Sequence, residues 1–493
     1  MTGGSHKMIR RALWGWAMLI AGAAASAQPL PTPTIRARSD QSAVIAGRRL
    51  AYTAEVGVVP VASRPGREDA TAGYISYSVP ARRERPVLFV FNGGPGAASA
   101  YLHMGALGPL RAQVPQDPGA PLPTAATVAP NPDTLLDVAD LVFLDPPGTG
   151  FSLLPADADL AVYRSVDGDA DAVAQLARAW LSAHGRTGAP IYILGESYGT
   201  IRAAAMVDAL RRQDATLKLA GVLLLGQALN MIETSQRPGN VVTYPVALPT
   251  LAAIACYHHV RAAPCTPEGS AREAAAYAET YLAALFRGRA LESADRAAIA
   301  ARLEGLTGIS RDYYLAHGLR ISKERFRVEL LRAQGRVLGR YDARYTAQRA
   351  ADAGDTVGPD AFSPVSDLYG KAVVEQLSRI GVTDATAYRL IVRGEDDWRY
   401  GSGDSPFNDW PFMARLERAM AAVPAMRLFV GTGLYDLTTT VGAADYLLAQ
   451  SNLAPDRFRN RRYPAGHVAY SDDTSWRLLM RDLRAFLADG PAR

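Results

Sequence analysis

The sequence predicts an α/β fold: a mostly parallel central sheet with helices on both faces, interrupted by a largely helical insertion. Three observations carry this. Short apolar runs without polar alternation end in turns, most of them rich in glycine, as strands buried on both faces do. Helix-type stretches lie between these runs, the alternation that builds a parallel sheet. A long helical stretch between residues 230 and 420 then breaks the rhythm.

Taken in order, residues 28–38 (QPLPTPTIRAR) are proline-rich and read as an extended leader, and residues 48–80 alternate as antiparallel strands do. Residues 87–91 (VLFVF) run into Asn92-Gly93-Gly94-Pro95-Gly96, and residues 141–144 (LVFL) into Asp145-Pro146-Pro147-Gly148. Residues 191–194 (IYIL) run into Gly195-Glu196-Ser197-Tyr198-Gly199, and residues 220–225 and 426–430 complete the set. Residues 170–183 and 200–212 are the helical connections. Within the insertion, residues 272–286, 293–306, 323–334 and 367–380 are helix-type, and no internal repeat is evident. The expected organisation is a core from 28–229, a helical cap from 230–420 over the C-terminal edge of the sheet, and a second core part from 421–493.

Of the 493 residues, 48% are hydrophobic and 20% charged, a composition that buries a large core and excludes wholesale disorder. The formal charge of +5 is misleading. Lys7, Arg10 and Arg11 precede an apolar run over residues 12–25, closed by Ala25-Ser26-Ala27. That is the pattern of an export signal cut before Gln28, so residues 1–27 are expected to be removed and the mature protein to be periplasmic or secreted. Removing those three basic residues takes away more than half of the +5 charge, and nothing calls for nucleic acid. No later stretch reaches the roughly 20 apolar residues that span a bilayer, so no integral membrane segment is expected in the mature chain. The oligomeric state is left open. Cys256 and Cys265 are expected to pair as a disulfide in an exported chain. A metal site using them with His258 or His259 is the alternative, but the spacing matches no zinc pattern, and no metal or cofactor is expected.

The chemistry is concentrated at Gly195-Glu196-Ser197-Tyr198-Gly199. A G-x-S-x-G between a buried strand and a helix is a nucleophile elbow, whose strained turn presents the serine hydroxyl at a helix N-terminus. Serine needs a base. Of seven histidines, His6 lies in the export signal, His103 follows the first glycine-rich turn, and His184 sits at a helix end. His258, His259 and His317 fall in the insertion, which leaves His467 in the loop after residues 458–463. Asp436 stands just beyond the strand 426–430 and is expected to orient His467. The order Ser197, Asp436, His467 is that of an α/β-hydrolase fold. The oxyanion hole is expected from the backbone N–H groups of Tyr198 and of Gly94 or its neighbour Gly93.

Together these residues resemble the serine carboxypeptidase family, in a bacterial branch. Asn92-Gly93-Gly94-Pro95-Gly96 matches its N-G-G-P-G, and Asp145-Pro146-Pro147-Gly148-Thr149-Gly150-Phe151-Ser152 its D-x-P-x-G-T-G-F-S shortened by one residue. The G-E-S-Y-G elbow is the family's own form, and Ala465-Gly466-His467 matches its A-G-H. The resemblance implies a peptide substrate with a free C-terminus, whose carboxylate is held by Asn92, Gly93 and Glu196, with a protonated acid donating to it. Two departures stand out. Ala106 occupies the place of the family's second recognition glutamate, which leaves Glu196 with less reason to hold a proton near neutrality. Ala97 stands where a cysteine often follows N-G-G-P-G, so the disulfide set of eukaryotic members cannot form. The expected activity is an exported serine carboxypeptidase, with an esterase or acyltransferase using the same triad as the alternative. A non-catalytic binding role is disfavoured because all three triad residues are present.

Overall fold

A computed structural model describes residues 30–80, 84–237, 239–261, 264–349, 358–392, 397–401 and 409–490. The expected export signal lies outside them. Strands β1 (Thr34–Ile45), β2 (Arg48–Arg64) and β3 (Arg67–Ser78) form an antiparallel meander. The leader is therefore shorter than its composition suggests: pairing of Thr34 with Val58 draws residues from 34 onward into the sheet.

The remaining strands are β4 (Val87–Phe91), β5 (Asp140–Asp145), β6 (Ile191–Glu196), β7 (Leu219–Leu225), β8 (Arg427–Gly433) and β9 (Phe458–Tyr463). Among the described residues they complete a nine-stranded sheet in the order β1-β2-β3-β5-β4-β6-β7-β8-β9. β3 meets β5 antiparallel, and every pairing from β5 to β9 is parallel. The strand order reverses at β4 and β5, where β4 sits between β5 and β6.

Strand periodicity divides the apolar side chains between two layers. Phe89 and Phe91 of β4 point into one cluster with α1 (Val166–Ala183) and α2 (Tyr198–Gln213), whereas Leu88 and Val90 point into the other. The helices after β7 are α3 (Thr243–Tyr257), α4 (Pro267–Arg287), α5 (Ser293–Thr307), α6 (Lys323–Glu329), α7 (Ser363–Ile380) and α8 (Phe412–Ala422). Helices α3 to α6 build a third apolar cluster, which also takes Leu434, Tyr435 and Leu437 from the loop after β8. Helix α7 instead packs with Leu88 and Val90, and α8 with Phe89 and Phe91. Two C-terminal helices, α9 (Val441–Ala449) and α10 (Asp473–Ala488), cover opposite faces of the sheet.

The helix expected over 323–334 is broken. α6 stops at Glu329, a single tight turn spans Arg332–Gln334, and Gly335 ends it in the left-handed region at φ 66°. Cys256 and Cys265 are joined by a disulfide between the end of α3 and the start of α4. His258 Nε2 is hydrogen-bonded to the Ala343 carbonyl at 2.7 Å. Among the described residues no helix is long and apolar enough to cross a membrane, and no group of three or more His, Cys, Asp or Glu side chains could hold a metal ion.

Candidate active site

Ser197 lies between β6 and α2 with φ 59° and ψ −129°. A non-glycine residue held there costs on the order of 1–3 kcal/mol and persists only where its surroundings enforce it. The enforcement is local: Ser197 N–H donates to the Leu225 carbonyl at 2.9 Å, and a methyl group at Gly195 would run into the Gly199 carbonyl. Tyr198 opens α2, so its N–H has no partner within the helix. The Asn92–Gly96 turn packs against this elbow so closely that a methyl at Gly93 would lie 2.6 Å from Tyr198 N. Gly94 has φ 103°, a conformation that side chains resist. The structure thus brings both expected oxyanion donors to one place.

Asp436 and His467 are buried and joined, with Nδ1 2.7 Å from Oδ2. The Asp436 carboxylate also accepts from the N–H groups of Thr438 and Thr439, at 2.7 and 2.9 Å, and from the Thr439 hydroxyl at 2.6 Å. These donors keep Asp436 an acceptor, so Nδ1 carries the imidazole proton and Nε2 is left as the basic nitrogen. His467 Nε2 is buried without a hydrogen-bond partner. The ring lies over Gly226, where a methyl would sit 2.7 Å from Cε1. Gly226 directly follows Leu225, whose carbonyl binds Ser197 N–H, so the imidazole stands beside the elbow. Burial works against a charged imidazole, but Asp436, with a further contribution from Glu196, outweighs it and raises His467 above its usual value.

Beside the serine, Glu196 Oε1 accepts from Asn92 Nδ2 at 2.9 Å, and Asn92 Oδ1 accepts from Leu102 N–H at 3.0 Å. Glu196 Oε2 is buried, with the Tyr470 hydroxyl as its neighbour. Burial pushes this carboxyl up to about 7, against the opposing pull of His467, the nearby Tyr470 hydroxyl and Asn92. Against the expectation drawn from Ala106, Glu196 is raised although no acid stands at that place, because burial, with a smaller contribution from Asp436, disfavours its charge. Ala106 is itself buried, and its carbonyl accepts from Asn131 and Trp476 side chains.

Several residues that position the site have no motif. Arg202, fully buried on α2, pairs with Asp169 at 2.7 Å and donates to the Asn92 carbonyl at 2.6 Å. Tyr198 OH donates to the same Asp169 oxygen at 2.9 Å, so one ion pair ties the elbow helix to the Asn92 turn. The available signal was an arginine inside an alanine-rich, otherwise apolar helix face. A second group, residues 340–344, lies between both C-terminal loops. Tyr341 O accepts from His467 N–H at 2.6 Å, Asp342 Oδ2 from Gly466 N–H at 3.2 Å, and Arg340 O from Leu437 N–H at 3.1 Å. Ala343 N–H donates to Tyr435 O at 3.0 Å, and the Tyr341 ring sits 5.3 Å from the His467 ring. No sequence signal marked this segment. The other histidines are engaged elsewhere: His103 pairs with Tyr77 OH, and His184 with Glu55 and the Trp180 carbonyl. The Asp145 motif braces the sheet edge, its carboxylate accepting from Ser99 and Tyr388.

Residues 73–241 match the family model described as serine carboxypeptidase. A comparison with curated proteins finds no match. Similar solved structures include the proline iminopeptidase of Mycobacterium smegmatis, 14% identical over 92% of this chain and 98% of that chain, with a TM-score of 0.34. A mutant epoxide hydrolase from Aspergillus niger is 14% identical over 88% of this chain and 78% of that chain, with a TM-score of 0.38. A thermostable carboxyl esterase from Bacillus coagulans is 11% identical over 92% and 98%, with a TM-score of 0.33. At these scores the likeness says nothing about reaction or substrate. Residues 73–241, which hold both the N-G-G-P-G turn and the G-E-S-Y-G elbow, are thus the part of the chain that is similar to the serine carboxypeptidase family, and they lie on a sheet with the α/β-hydrolase fold.

Proposed function

We propose that the protein is a serine carboxypeptidase that removes C-terminal residues from peptides. In this reading Ser197 Oγ attacks the last amide carbonyl while His467 Nε2 takes its proton, and Asp436 holds the imidazolium that results. The oxyanion is met by the N–H groups of Tyr198 and Gly94, or Gly93. The C–N bond breaks as His467 returns the proton to the leaving amine. Water, deprotonated by His467, then cleaves the acyl-enzyme and releases the shortened peptide. The observation that carries the reading is the buried Glu196 carboxyl, hydrogen-bonded to Asn92 one residue from the nucleophile and pushed by burial well above the usual carboxylate range. A neutral carboxyl can donate to a substrate carboxylate, which an ionised one cannot. Helices α3 to α6 are read as the cap that shapes the pocket, and the basic, apolar and small-residue run over 7–27 supports export.

The test offers one N-blocked peptide as free acid and as amide to the mature protein, with Ser197→Ala as control and products read by mass spectrometry. Release of single C-terminal residues from the acid alone is expected, with turnover lost in Ser197→Ala while its melting temperature stays near wild type. Equal attack on acid and amide would favour the esterase or acyltransferase reading that Ala106 suggests.

A further inference from the structure

Next to the Asp436 loop lies a cavity of about 410 Å³, walled by Asn230, Met231, residues 234–236, the start of α6 and residues 438–440. Its volume falls in the range of small-molecule sites. Three donors on its wall lack the partners that burial demands. Lys323 Nζ donates to the Thr438 carbonyl at 2.9 Å, and Asp436 and Glu324 attract it without making a salt bridge to it among the described residues. Gln236 Oε1 accepts from Lys323 N–H at 2.6 Å, which fixes the amide and leaves its Nε2 buried with no partner. Thr438 Oγ1 is likewise buried and unpartnered. The acid on this wall is already used: Glu324 accepts from Arg327 at 2.6 Å and pairs with Arg340 at 2.8 Å.

An unsatisfied buried donor is costly, and a buried ammonium held by one carbonyl and no salt bridge gains from a further anionic partner. A ligand that brings one negative charge spread over two oxygens satisfies all three at once. We propose that this cavity binds a carboxylate, held by Lys323 Nζ, Gln236 Nε2 and Thr438 Oγ1, separate from the Asn92 and Glu196 site. One residue divides it from the triad pair, since the Thr439 hydroxyl donates to Asp436 and lies 3.2 Å from His467 Nδ1. The inference rests on the cavity and not on the carboxypeptidase reading.

Calorimetric titration of the mature protein with glutarate, with glutaramide as the neutral control, tests it. Saturable binding of glutarate alone is expected, weakened about tenfold or more by Lys323→Met and by Gln236→Leu. Lys323→Arg, which keeps the charge, should retain most of the affinity, and thermal melts verify that each variant folds. No heat at millimolar glutarate, equal binding of glutaramide, or unchanged affinity in both folded variants would overturn the proposal. The source of the carboxylate is read separately, from KM values for peptides carrying Glu or Gln beside the cleaved bond. A preference for Glu that Lys323→Met erases assigns the site to a substrate side chain, whereas glutarate binding without that preference assigns it to a free small acid. Because binding is read as heat, a protein that cleaved no peptide would defeat the carboxypeptidase reading and leave this one standing.

Discussion

The nucleophile side of the site and its histidine side are held in place by different interactions. Around Ser197 the positioning is done by buried charge: Arg202 and Asp169 cross-link α2, the Tyr198 hydroxyl and the Asn92 carbonyl inside the apolar layer. Around His467 it is done mainly by backbone: residues 340–344 hydrogen-bond to the loops of both Asp436 and His467. The first arrangement lies wholly within residues 73–241, the stretch that matches the family model. The second depends on the insertion. The elbow is thus a self-contained unit, while the base is set by a segment whose sequence follows none of the family motifs.

Breaking the charged side should have the largest effect. Arg202→Met leaves Asp169 buried without its counter-ion and should lower unfolding free energy in urea by about 3–5 kcal/mol. The double variant Arg202→Met with Asp169→Leu should recover much of that loss. If the single and double variants were equally unstable, the pair itself would not be what holds the elbow.

Glu196→Gln probes the boundary between the two sides. Folded Glu196 keeps its proton up to about 7, whereas in the unfolded chain it ionises near 4.5. The folded state therefore binds more protons across that window, and stability falls as pH rises through it, by up to about 3 kcal/mol. Glu196→Gln should flatten that slope in urea melts at pH 5 and pH 7.5. A decline that persists in the variant belongs to the other groups with raised values, His467 and the buried Asp145 among them, whose contributions are likewise lost as pH rises. In the same variant, KM for a free-acid peptide should stop climbing above neutrality. A wild-type-like KM profile would remove Glu196 as the titrating recognition group.

The smallest effect is expected on the backbone side. Asp342→Asn keeps an oxygen that can accept from Gly466 N–H but weakens the buried pair with Arg344, and it leaves the His467 N–H bond to Tyr341 O intact. A loosened imidazole should lower kcat about tenfold with KM nearly unchanged. A fall confined to stability, with kcat intact, would make this segment a brace and not a positioning element.

The glycine-bounded turn at Asn92 and the elbow at Ser197 were legible in the sequence because both are local. Each is a buried strand running into a turn whose close backbone approach admits little beside glycine, a constraint written in adjacent residues. His467 emerged by elimination among seven histidines and Asp436 by its place after a strand. The raised value of Glu196 was not legible, since it is the balance of burial against groups as far along the chain as His467 and Tyr470. The Arg202–Asp169 pair spans 33 positions and the Asp342–Gly466 contact 124. Periodicity tells which face of an element is buried but not which partner it meets there. The motifs, the succession of buried strands and the candidate triad residues were thus legible in the sequence alone. The burial that raises Glu196, the anchoring of His467 and the surroundings of Lys323 were decided only when packing removed water from side chains far apart in the chain.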